Sequence, residues 1–195
     1  MTRREALKNT AMIAGYAITL PSLAAILESC QSQKRPEWQA AFFNPEQANL
    51  VTELVEMLLP KSKDLPGAWE LGVHAFVDKF VGETFEAKDQ EKFVAGLTDI
   101  AQQCQSAYGK PFMECSKEDQ YELIMRIDKE QRAKAIEEPN PDIYWPYFLS
   151  FKDVTYLGYF THEKVGKEIL GYDPIPGAYQ GCVPLAEVGG RAWAL

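Results

Sequence analysis

The sequence predicts an all-α protein: an irregular bundle of about five to six helices, followed by an ordered C-terminal strap rich in proline and glycine. Three observations carry that expectation. From Asn44 onward apolar residues recur at steps of three and four, helix-start signatures precede several of these runs, and no stretch alternates convincingly as a strand would.

Asn44-Pro45-Glu46-Gln47 offers an N-cap, a proline at the first helical position and a glutamine at the third. Leu50, Val51, Leu54, Val55, Leu58 and Leu59 then form one apolar face, which Pro60 ends. After a turn through Pro66-Gly67, a second helix is expected from about Ala68 to Phe85, with Trp69, Val73, Phe76, Val77 and Phe80 on its stripe. A third, from about Asp89 to Tyr108, carries Phe93, Leu97, Ile100, Cys104 and Tyr108 at steps of four and three, and Gly109 is placed to cap it. Ser116 and the acidic pair Glu118-Asp119 favour the start of a fourth, which Tyr121, Ile124, Met125 and Ile127 continue to about Ile136. Pro139-Asn140-Pro141 marks a loop.

Tyr144 to Phe160 holds eight aromatic rings in seventeen positions. Positions 144, 147, 148, 151 and 155 share one side of a helix, so Trp145, Tyr156 and Tyr159 are expected to point elsewhere. Two readings stand. The helix is buried in the middle of the bundle, or one aromatic side meets a partner protein, where tryptophan and tyrosine are enriched. Thr161 starts a short helix to Leu170, and Gly171 ends it. The following segment cannot be regular helix, but Tyr172, Ile175, Tyr179, Val183, Leu185 and Trp193 offer apolar anchors for a strap laid across a surface.

The start of the chain follows a different pattern. A basic opening, Thr2-Arg3-Arg4-Glu5-Ala6-Leu7-Lys8, leads into the uncharged stretch Ala11 to Leu27, the layout of an export signal. Seventeen helical residues span roughly 26 Å, short of a hydrocarbon core of about 30 Å. Pro21 also interrupts the run, so a permanent membrane helix is the second choice. The Arg3-Arg4 spacing resembles the twin-arginine export motif, with Ala6 where phenylalanine is usual. Leu27-Glu28-Ser29-Cys30 resembles a lipobox, with Glu28 where a small residue is usual, and makes Cys30 the candidate for lipidation. An ordinary cleaved signal followed by a free Cys30 thiol is the alternative. Residues 1–29 are thus read as signal, 30–41 as lipid anchor and tether, and 42–195 as the helical domain.

Composition narrows the function. The chain has 28 acidic and 20 basic side chains among 195 residues, a formal charge of −8, which argues against nucleic-acid binding. Removing residues 1–29 leaves a formal −9. A hydrophobic fraction of 46% argues against disorder, and four cysteines are too few for a disulfide scaffold. With Cys30 set aside, Cys104, Cys115 and Cys182 remain, an odd number. Cys104 and Cys115 flank the Gly109-Lys110-Pro111 turn and are candidates for an intrachain bridge. Cys182 is then either a link to a partner or a buried free thiol.

Catalytic constellations are not found. The two histidines, His74 and His162, are far apart in sequence and lack a Cys-x-x-Cys companion, so a zinc or haem site is not expected. His74 is read as a core-edge residue and His162 as an exposed one in a helix start. There is no glycine-rich phosphate loop between a strand and a helix and no serine nucleophile elbow.

Several motifs in order resemble the small subunit (subunit 3, or gamma) family of gluconate 2-dehydrogenase. They are the twin-arginine leader; Leu58-Leu59-Pro60 with Leu65-Pro66-Gly67-Ala68 and Gly72-Val73; Gly158-Tyr159-Phe160-Thr161; and Gly177-x-Tyr179-x-Gly181-Cys182-Val183-Pro184. The resemblance covers about residues 42–195. It implies an accessory subunit with no catalytic residue, cofactor or metal of its own, bound to a large flavoprotein of the glucose-methanol-choline type. Related systems oxidise gluconate, glucose or other sugars and pass electrons to a cytochrome, which would place FAD in the partner and haem in a third subunit. The small subunit there resembles an escort, supplying the export signal to a flavin-loaded partner and holding it at the envelope. On this reading Trp145, Tyr156, Tyr159, Tyr172, Pro174, Pro176, Tyr179 and Cys182 are the candidate partner-binding residues. A free-standing envelope lipoprotein that binds a ligand or acts as a scaffold is the alternative.

Overall fold

A computed structural model describes residues 38–139, 146–172, 175, 177–178, 182–187 and 189–192. The chain divides into two units, Met1–Gln39 and Ala40–Leu195, and the helices described here belong to the second. Arg3, Arg4, Cys30, Tyr144, Trp145, Pro174, Pro176, Tyr179 and Trp193 lie outside the described residues.

Helix α1 spans Pro45–Leu58 and starts as its sequence dictates. The Asn44 side chain accepts from the Gln47 amide at 2.9 Å, and the Gln47 side chain accepts from the Asn44 amide at 3.1 Å, satisfying donors that a helix start leaves free. Just before this cap, the amides of Ala41, Phe42 and Phe43 donate to the Asp78 carboxylate at 2.7, 3.1 and 2.9 Å. Asp78 is 1% exposed, so a charge that would be costly to bury unpaired instead fixes the approach to α1.

Helix α2 spans Val73–Thr84, starting later than periodicity predicts. Gly72 adopts φ 70°, a left-handed conformation that suits glycine, and the preceding residues form a turn rather than a first helical turn. Trp69 therefore precedes the helix. Its ring stacks on His74, 6.4 Å between centroids, and His74 is buried at the start of α2. Val73, Val77 and Val81 form the buried stripe.

Helix α3, Ala87–Tyr108, buries Phe93, Leu97, Ile100 and Cys104 of the stripe expected from steps of four and three, while Tyr108, at the helix end, is only half-buried. Gly109 ends it in a left-handed conformation, its amide donating to Gln105 at 2.9 Å. A 3₁₀ turn at Phe112–Glu114 leads to Ser116, whose hydroxyl caps α4 by accepting from the Asp119 amide at 3.1 Å. Helix α4 spans Lys117–Glu137 and buries Gln120, Leu123, Ile124 and Ile127, while Tyr121 and Met125 of the expected apolar set are exposed on its other side.

Helix α5, Tyr147–Phe160, is the central element and packs against α2, α3 and α4. Phe148, Ser150, Phe151, Lys152, Val154, Thr155, Gly158 and Tyr159 are all buried, so apolar and polar positions alike face neighbours on most of its circumference. Of the two readings of the aromatic segment, burial in the middle of the bundle describes α5. Two glycines allow this close packing. A Cβ at Gly158 would lie 2.5 Å from the Phe76 ring on α2, and one at Gly96 would lie 2.0 Å from the Tyr147 ring. Lys152, buried in the same helix, donates to Asp128 at 2.7 Å, and Arg132 donates to that carboxylate at 2.8 Å.

The expected short helix after Thr161 is a π-helical segment, Val165–Ile169. Among the described residues there is no strand long enough to form a sheet and no helix long and apolar enough to cross a membrane.

Candidate interaction site

The ends of α1 and α5 meet at the loop joining α1 to α2. Its Leu59 carbonyl accepts from the Ala68 amide at 2.8 Å, and the Glu56 carboxylate accepts from the Trp69 amide at 3.1 Å. Gly67 fits against this carboxylate: an added Cβ would lie 3.0 Å from both Glu56 Oε1 and the Lys61 backbone nitrogen. Lys61 and Glu70 form a pair at 2.5 Å across the loop, and the hydrogen bond from Lys61 lowers the Glu70 carboxyl below its ordinary value. Tyr159 donates its hydroxyl to the Pro66 carbonyl at 3.0 Å, which ties the loop to α5.

Tyr159 is therefore a correction to the expected outward-facing set. It is 4% exposed, and burial raises its hydroxyl above the usual tyrosine range. The helical wheel failed because α5 has neighbours on several sides, so a position off the main aromatic stripe still faces the core. Tyr156 is half-buried, its ring tilted against Phe160 at 6.4 Å.

The strap also departs from expectation. Its described apolar residues are largely exposed rather than buried: Tyr172 is 54% exposed, Ile175 84% and Leu185 63%, with Val183 half-buried. Polar contacts hold its two ends together. The Gly171 amide donates to the Ala192 carbonyl at 2.6 Å, and Arg191 Nη1 donates to the Glu168 carbonyl at 3.0 Å, so the far end returns to the π-helical segment. Cys182 lies exposed between these ends, which excludes the buried-thiol reading for this chain on its own.

Cys104 and Cys115 are brought together across the α3–α4 turn. Their sulfurs are 3.2 Å apart as unbonded thiols. His74 and His162 sit on different elements, and the His162 Nδ1 accepts from the Lys164 amide at 3.2 Å.

Two surface depressions accompany these features. One, of about 370 Å³, lies beside the Pro66 loop and mixes Lys61, Lys63 and Lys164 with Asp64, Glu70 and Glu168. The other, of about 580 Å³, lies between α3 and α4 and is lined by Asp99, Gln102, Gln103, Ser106, Ala107, Arg126 and Glu130. Neither has the apolar walls and few convergent polar groups of a typical small-molecule site. Among the described residues no group of three or more histidine, cysteine or carboxylate side chains is arranged to hold a metal.

The family model for gluconate 2-dehydrogenase subunit 3 matches residues 45–177. The chain belongs to this family. The match opens at the first residue of α1 and runs through helices α1 to α5 into the strap, ending at Gly177. It includes the Leu65-Pro66-Gly67-Ala68 and Gly158-Tyr159-Phe160-Thr161 motifs, whose juxtaposition through Tyr159 and Pro66 gives them a common structural role. The Gly181-Cys182-Val183-Pro184 motif lies beyond the match. No curated protein and no solved structure matches the chain.

Sequence reasoning missed Asp78. Its partners are 35 to 37 positions away, and an isolated aspartate within an apolar helical pattern gives no sign that it collects backbone amides from another segment.

Proposed function

We propose that this chain is the non-catalytic accessory subunit of an envelope FAD-dependent sugar or gluconate dehydrogenase, whose large flavoprotein is of the glucose-methanol-choline type. The observation that carries the proposal is the subunit 3 family match over the helical domain. The chain escorts the flavoprotein through the twin-arginine route with Arg3 and Arg4, and Cys30 holds the complex at the membrane through attached lipid. Acyl chains contribute about 0.8 kcal/mol per buried CH₂, enough for two or three to retain a soluble domain at a bilayer.

Flavin chemistry belongs to the partner. The small subunit supplies a stable surface, and the strap is its docking element. Exposed Tyr172, Ile175 and Leu185 support that assignment, because they offer apolar area that the domain itself leaves uncovered. Pro174, Pro176, Tyr179, Cys182 and Trp145 complete the proposed surface, with half-buried Tyr156 nearby in sequence. A cytochrome subunit receives the electrons.

The escort role is tested by replacing Arg3 and Arg4 together with lysine in cells that make both subunits. The flavoprotein should then remain in the cytoplasm with its flavin bound. A flavoprotein that still reaches the envelope in normal amount would refute the escort role.

A further inference from the structure

The turn between α3 and α4 places two thiols in contact by means that do not depend on a bond between them. Cys104 lies on the buried stripe of α3 and has no exposed surface, whereas Cys115 is half-buried at the end of the 3₁₀ turn. Phe112, 4% exposed, anchors that turn in the core, and its carbonyl accepts from Gln120 Nε2 at 2.6 Å. The Ser116 cap fixes the chain immediately after Cys115. Cys115 Sγ also lies 3.5 Å from the Pro111 carbonyl, within reach to donate. Folding alone therefore brings the two sulfurs to 3.2 Å. A disulfide requires about 2.05 Å, so bond formation closes a gap of about 1 Å between sulfurs already in contact.

We propose that Cys104 and Cys115 are a dithiol–disulfide pair, a modification site that staples the α3–α4 turn after the domain has folded, and that Cys182 takes no part in it. The oxidant is a small-molecule or protein disulfide of the glutathione class. Cys115, the accessible sulfur, attacks that disulfide as its thiolate; a new S–S bond forms to Cys115 and one thiol of the oxidant departs, taking up a proton. Cys104 then loses its proton and attacks Cys115 Sγ, closing the internal bond and releasing the second thiol. Two protein thiols are oxidised and one external disulfide is reduced to two thiols. Burial, with the hydrogen bond to Cys115 second, pushes the Cys104 thiol up to about 12, so closure should accelerate as pH rises. This chemistry is independent of the export proposal, because it requires only the folded domain and a disulfide oxidant.

The test uses the purified full chain incubated with oxidised glutathione, quenched by alkylation and mapped by peptide mass. The expected product is a Cys104–Cys115 cross-linked peptide lacking two hydrogens, with Cys182 alkylated or carrying glutathione, and a melting temperature above that of the reduced protein. Cys182→Ser should retain the cross-link and the thermal gain, and Cys115→Ser should lose both. Free alkylated Cys104 and Cys115, a stable glutathione adduct on Cys115 beside an alkylated Cys104, or a bridge to Cys182 would each overturn the assignment. The wild-type peptide map alone decides the pairing, whether or not either variant folds.

Discussion

The Tyr159 hydroxyl donates to the Pro66 carbonyl at 3.0 Å, joining residues 93 positions apart. Through this bond the end of the central helix holds the loop between α1 and α2. Tyr159→Phe keeps the ring and removes only the donor, so it should cost about 1 kcal/mol. Urea unfolding should show a lower midpoint with an unchanged slope. Partner retention should be unaffected. A variant that loses the partner while keeping its midpoint would return Tyr159 to the interface.

Gly158 faces Phe76 so closely that its replacement by alanine must displace the ring or the helices. We expect Gly158→Ala to destabilise the domain by about 1–3 kcal/mol. Gly177 serves as the control, because nothing lies within 4 Å of a Cβ built there. Gly177→Ala should shift stability by less than about 0.5 kcal/mol. Equal midpoints for the two variants would mean that α2 and α5 do not approach as described.

Asp128 couples stability to pH. Burial acts to raise its carboxyl, but hydrogen bonds from Lys152 and Arg132 outweigh it and hold the group below the ordinary carboxylate value. A lowered folded value means that the contribution is fully present above the unfolded value of about 3.9 and is lost as pH falls through the folded one. Asp128→Asn should therefore be less stable than wild type at neutral pH, with a gap that narrows below about pH 4. Thermal melts across that range measure it. A gap independent of pH would show that the carboxylate charge contributes nothing.

Removal of residues 171–195 should leave the five helices folded, because the described apolar residues of the strap are largely exposed. The truncated chain should keep its cooperative unfolding but no longer retain the flavoprotein. Copurification with full flavin content would show that the strap is not the docking element.

Helix starts and stripes were the most legible part of the sequence. The Asn44 and Gln47 capping box and the Phe93, Leu97, Ile100 and Cys104 stripe depend on residues within a few turns of one another, which is the range that periodicity reads. Gly72 moved the start of α2 because a left-handed glycine closes a turn where spacing alone would continue a helix. In α5 the period is uninformative: a helix with neighbours on most sides has no polar face to define its orientation, and this misplaced Tyr159. Asp78 was illegible for another reason, since its function is created by contacts formed only in the tertiary fold. At the candidate site, the order of motifs pointed to the family, but it did not reveal that two of them are joined by one hydrogen bond.

The proposed place of this chain is as one subunit of a flavin-dependent dehydrogenase. Its most direct test is a native pull-down of the full chain from gently solubilised membranes, read by flavin absorbance and by the intact mass of its partners. A large flavoprotein should be recovered in near-equal amount, with bound FAD. Recovery of the chain without any flavoprotein, from cells that contain one active in the envelope, would contradict it.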